Sequence, residues 1–154
     1  MKDLQSIGIL LFIISGLVLI ACEKEEFGEP SDMKSTSLSS ESHHNGDNCM
    51  NCHKSGGSGD GWFTVAGSVY NSTQTVPYIT ATIELRTGQL GAGNLVATID
   101  VDQNGNFYTT ETVDFGNGLY ALVKGGTATN YMTQKIATGA CNSCHDSSNK
   151  LWTE

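Results

Sequence analysis

The pattern of apolar and polar positions divides the chain into three stretches. Ile7 to Ile20 is an apolar run broken only by Gly8, Ser15 and Gly16. Its fourteen residues fall short of the roughly 20 that span a bilayer and suit the core of a signal peptide. Gly28 to Ser42 has almost no apolar content, which predicts a flexible spacer that cannot build a core. From residue 62 the pattern alternates. Val65, Gly67 and Val69 alternate with Thr64, Ala66, Ser68 and Tyr70, and Ala81, Ile83 and Leu85 with Thr82, Glu84 and Arg86. Leu95, Ala97, Ile99 and Val101 alternate with Val96, Thr98, Asp100 and Asp102. Leu119–Lys124 and Tyr131–Ala137 are further short runs, and Asn104-Gly105 signals a hairpin. Period two, punctuated by Gly and Asn, predicts a mainly β chain: a small antiparallel β-sandwich over 62–138. No segment after the leader supports a long helix.

The apolar run ends in Leu19-Ile20-Ala21-Cys22. This tetrapeptide resembles the bacterial lipobox, where a signal peptidase cuts before a cysteine that carries lipid. The resemblance implies a signal peptide over 1–21, lipidation at Cys22 and a lipidated tether over 22–42. A short anchor helix ending at a chance cysteine is the alternative. Buried acyl chains contribute about 0.8 kcal/mol per CH₂, so two or three hold a soluble domain firmly to a membrane. Glu23-Lys24-Glu25-Glu26 looks like the export signal that sends some Gram-negative lipoproteins to the outer face of the outer membrane, although a solvated tether reads equally well. The expected location is an outer-membrane lipoprotein, on the periplasmic face or the cell surface.

Composition narrows the remainder. The formal charge is −8, with a single Arg, so the chain lacks the basic patch that nucleic acid requires. Eighteen Gly and 8% aromatic residues argue against a helical bundle. Five cysteines form an odd count, and lipidation of Cys22 would leave four.

Those four lie in two copies of one pattern, Cys49-Met50-Asn51-Cys52-His53 and Cys141-Asn142-Ser143-Cys144-His145. Both are C-x-x-C-H, the spacing of c-type haem attachment. Two thiols add to the vinyl groups on one porphyrin edge, two residues span that edge, and the next histidine reaches the iron. The pattern therefore predicts covalent haem c at Cys49/Cys52 and at Cys141/Cys144, with His53 and His145 as proximal ligands. The attachment segments would be 43–61 and 139–154. Disulfides within each pair, or a four-cysteine zinc site, are the alternatives. Neither accounts for a histidine after each pair, and the 88 residues between Cys52 and Cys141 exceed the spacing of common zinc modules.

The remaining histidines, His43 and His44, are candidates for sixth ligands, one for each haem if the haems lie close. Met132 is the alternative for the second haem and would raise its potential. A Trp follows each motif, Trp62 nine residues after His53 and Trp152 seven after His145, which predicts an indole packed on each porphyrin.

The segment between the motifs also resembles the carboxypeptidase regulatory-like (transthyretin-like) β-sandwich family. The likeness rests on Val65-Ala66-Gly67-Ser68-Val69, Ala81-Thr82-Ile83-Glu84-Leu85 and Ala97-Thr98-Ile99-Asp100. It continues in Asp102-Gln103-Asn104-Gly105-Asn106-Phe107 and Gly118-Leu119-Tyr120-Ala121-Leu122-Val123. It implies a non-catalytic scaffold of six or seven strands and carries no active-site residue across. Within it, Asp100, Asp102, Asn104, Gly105 and Glu111 match the EF-hand calcium loop, but the flanks alternate as strands where an EF-hand needs helices. Asn71-Ser72-Thr73 matches a glycosylation sequon, read here as a loop.

These readings predict a membrane-anchored dihaem cytochrome, not an enzyme, that passes electrons at the cell envelope to a redox partner protein or an extracellular acceptor. Its acidic surface would steer it to a basic partner. If the motifs point apart, head-to-tail self-association becomes the route between haems. The alternatives are a surface lipoprotein whose sandwich binds glycan or protein, with C-x-x-C disulfides, and a sensor haem with an open position.

Overall fold

The structure, a computed structural model, describes residues 32–154. The leader, Cys22 and the acidic cluster after it lie outside the described residues. Seven strands form two sheets. One is mixed and three-stranded, in the order β4-β1-β7, built from β1 (Val65–Ser68), β4 (Asn106–Thr109) and β7 (Gly139–Ala140). The other is antiparallel and four-stranded, in the order β3-β2-β5-β6, built from β2 (Thr82–Arg86), β3 (Leu95–Asp100), β5 (Tyr120–Lys124) and β6 (Thr129–Tyr131). Helical structure among the described residues is confined to 3-10 turns.

The alternation in the sequence becomes the core. Val65 and Val69, with Phe107 from β4, meet Ile83, Leu85, Ile99 and Val123 from the facing sheet, and all are essentially inaccessible to solvent. Burial at roughly 25 cal/mol per Å² of apolar surface is what holds the layers together. On the outer face of β2, Glu84 is bridged by Arg86 and Lys124. The Lys124 ammonium, with Arg86 beside it, holds the Glu84 carboxyl below the ordinary range.

The structure departs from the sequence reading in three places. The Asn104-Gly105 turn forms, with the Gly105 N–H donating to the Asp102 carbonyl at 3.1 Å, but its flanking strands do not pair as a hairpin. Strand β3 pairs with β2 and strand β4 with β1, so the turn carries the chain from one sheet to the other. The Asp102 carboxylate closes it, accepting from the N–H groups of Asn104 and Asn106 at 2.9 and 3.0 Å. Glu111, the last EF-hand position, instead bonds Lys34 at 2.9 Å. Second, the sandwich does not end at residue 138. Strand β7 pairs parallel to β1, and Thr153 donates its N–H to the Tyr70 carbonyl at 3.0 Å, so the segment carrying the second motif is stitched to the first sheet at both ends. Third, the described end of the tether is laid along the sandwich. Lys34 bridges Thr109 at the free edge of β4, and Ser35 is 1% exposed, its hydroxyl donating to the Asp100 carbonyl at 2.6 Å. This covers an edge that would otherwise present unpaired backbone.

Candidate haem-attachment sites

Each C-x-x-C-H begins in a 3-10 turn, Cys49–Asn51 and Cys141–Ser143. The backbone repeats bond for bond. The Cys52 and Cys144 N–H groups each donate to the carbonyl of the first cysteine at 3.2 Å. The His53 and His145 N–H groups donate to those same carbonyls at 3.0 and 2.9 Å. Residues three apart eclipse in a 3-10 turn, so both thiols of a pair are presented on one side, as addition to one porphyrin edge requires. In both pairs the first cysteine is half-buried and the second exposed, and all four are free thiols. Burial, reinforced by the nearness of Cys49, pushes the Cys141 thiol up to about 12, and burial also raises Cys49.

The histidines are held alike. His53 Nδ1 lies 2.8 Å from the Asp60 carbonyl and His145 Nδ1 3.0 Å from the Asn149 carbonyl. A carbonyl only accepts, so Nδ1 carries the proton and Nε2 keeps its lone pair. Metal-bound histidines are oriented by the same device. A glycine-rich loop makes this approach: a Cβ on Gly59 would lie 2.8 Å from the His53 ring.

Each motif lines a cleft of nearly the same size. The first, about 540 Å³, is walled by His43, His44, Cys49, Cys52, His53 and Tyr108 among others. The second, about 520 Å³, includes Phe107, Met132, Cys141, Cys144, His145 and Trp152. Both volumes fall within the roughly 300–1,000 Å³ of ligand pockets. The clefts lie on opposite faces of β4, because successive residues of a strand point to opposite sides: Asn106 and Tyr108 line the first, Phe107 the second. The second cleft reaches in between the sheets, where Ile83 and Val123 contribute to its wall.

The motifs, far apart in sequence, meet at β1. The Asn142 side chain, 4% exposed, accepts from the Ser68 N–H at 3.1 Å and donates to the Asp47 carbonyl at 2.8 Å, tying the second motif to the approach of the first. Gly67 makes the close packing feasible, since a Cβ there would lie 2.9 Å from the Cys141 Cβ and 2.6 Å from Phe107.

The candidate sixth ligands separate between the clefts. His43 and His44 both line the first, and neither lines the second, where Met132 lies. The His43 ring centroid is 5.9 Å from that of His53. His44 is turned to Asp47, with Nδ1 3.6 Å from its carboxylate. Asn104 and Asn106 hold the segment that delivers His43, through the Ser42 carbonyl at 2.7 Å and the Ser42 hydroxyl at 2.9 Å.

The two tryptophans differ in placement. Trp152 lines the second cleft, whereas Trp62 is absent from the lining of the first. There the aromatic wall is Phe63, stacked on His53 at 4.1 Å and on Tyr108 at 4.9 Å. Pairing along β4 brings Tyr108 and Met33 to this cleft, which their sequence positions do not show, whereas Phe63 is placed locally, its N–H donating to the His53 carbonyl at 3.1 Å. No group of three or more His, Cys, Asp or Glu able to hold a bare metal ion occurs among the described residues. No family model, curated protein or solved structure matches this chain.

Proposed function

We propose that this protein is a membrane-anchored dihaem c-type cytochrome that carries electrons at the cell envelope. One observation carries the reading: two cysteine pairs in the same 3-10 geometry, each followed by a histidine pinned through Nδ1, each open to a cleft of about 520–540 Å³. Cys49 and Cys52 would hold one haem and Cys141 and Cys144 the other, with His53 and His145 as proximal ligands. His43 is the better-placed sixth ligand on the first. Bound haem supplies the one-electron couple; the protein supplies ligation, burial and fixed charge. With both motifs packed against β1, electrons would pass between the sites within one chain, without head-to-tail association as the route. Lipid on Cys22 anchors the domain to the outer membrane, and the recipient is a redox partner protein or an extracellular acceptor.

Expression of the full chain in a bacterium with haem-maturation machinery tests this. The membrane fraction should contain a red protein with two haems per chain that survive denaturation and acetone extraction. With Cys22→Ser the same red protein should appear in the soluble fraction. A colourless chain with Cys49–Cys52 and Cys141–Cys144 oxidised would overturn the cytochrome reading and favour a disulfide-bonded binding domain.

A further inference from the structure

The two clefts are alike in volume and attachment but opposite in chemistry. The first is lined by Glu41 and Asp47 and by no Lys or Arg, and it offers imidazole opposite His53. The second is lined by Lys135 and Lys150 and by no carboxylate, and it penetrates between the sheets. Among its side chains, apart from the cysteines, Met132 carries the one sulfur donor. Lys135 Nζ is 3.2 Å from the Asn117 carbonyl, and Lys150 Nζ is 2.9 Å from the Gln74 carbonyl and lies over the Tyr70 ring. The Asn130 amide is spent on the Trp152 carbonyl at 2.8 Å. Met132 is held by its backbone, its N–H donating to the Ala121 carbonyl at 2.9 Å, and its half-buried thioether has no polar partner in the described structure.

Resting on the dihaem reading, we propose that Met132 is the ligand opposite His145 and that the second cleft is the high-potential site of a built-in gradient. Two effects act in one direction. Thioether ligation raises the potential relative to a second imidazole. Lysine charge favours the reduced iron, which carries one positive charge less, whereas Glu41 and Asp47 favour the oxidised iron in the first cleft. A single electron therefore runs downhill from the first cleft to the second. With haem bound, the first iron would lose the electron that the second gains, a reduced redox protein would refill the first, and the acceptor outside the chain would take the electron from the second.

A potentiometric titration of the purified dihaem protein, with absorption and magnetic spectra recorded along it, tests the assignment. Wild type should titrate in two resolved waves, with a sulfur-to-iron charge-transfer band present only when the higher-potential haem is oxidised. Met132→His should abolish that band, keep the haem low-spin and move only the upper wave downward. Met132→Leu should make that haem high-spin. Paired Lys135→Gln and Lys150→Gln should lower the upper wave while leaving the charge-transfer band in place. Coincident waves, or a Met132→His spectrum identical to wild type, overturn the proposal while leaving the dihaem reading intact. Absence of covalent haem overturns both.

Discussion

The imidazoles of His53 and His145 owe their readiness to a single proton. A backbone carbonyl at 2.8–3.0 Å from Nδ1 sets the tautomer before any partner arrives at Nε2, so no proton has to be rearranged. Two neighbours on the first cleft differ in what they face. Both line it, but the His43 ring lies 5.9 Å from that of His53, while His44, in a left-handed backbone conformation (φ 55°), faces Asp47. His43→Ala should therefore convert one of the two haems from low-spin to high-spin, and His44→Ala should leave both low-spin, as read by electron paramagnetic resonance. The reverse result would exchange their roles. Sequence alone offered His43 and His44 as equals, one for each haem, because adjacency says nothing about which ring a turn directs inward.

At the scale of elements, β1 and β4 do the positioning. All four residues of β1 are buried, and both of its edges are paired, with β4 and with β7. Its Ser68 receives the Asn142 bridge, and Ser68 Oγ donates to Asn106 Oδ1 at 2.6 Å, so one polar cluster joins both motifs to the sheet. Asn142→Ala would leave the buried Ser68 N–H without an acceptor, a cost of about 1–3 kcal/mol. Urea unfolding of the variant should show that loss; equal stability of the variant and the wild type would mean the bridge contributes nothing. In sequence Asn142 is an unremarkable x in C-x-x-C-H, and its role exists only because β7 runs parallel to β1. The turn at 102–106 teaches the same lesson from the other side. Its residues announced a turn correctly, but local propensity carries no information about which sheet each flanking strand joins.

For the molecule, the arrangement of clefts on the two faces of one sheet makes the chain a self-contained pair of sites. Exchange between them should be first order, with a rate independent of protein concentration when one haem is reduced by a flash or pulse. A rate rising with concentration would mean that transfer occurs between chains instead. The overall charge of −8 conceals the internal division, acidic at the first cleft and basic at the second. The sequence by itself determined the strand pattern and the β class, and it supplied the repeated C-x-x-C-H spacing on which the proposed attachment rests, because these follow from residue spacing and from the two-residue period of a strand. Only the tertiary structure decided that the motifs adjoin, that His43 and Met132 belong to different clefts and that the two sites differ in charge. Those facts depend on strand order and on which face a side chain takes, and both are settled by packing between residues far apart along the chain.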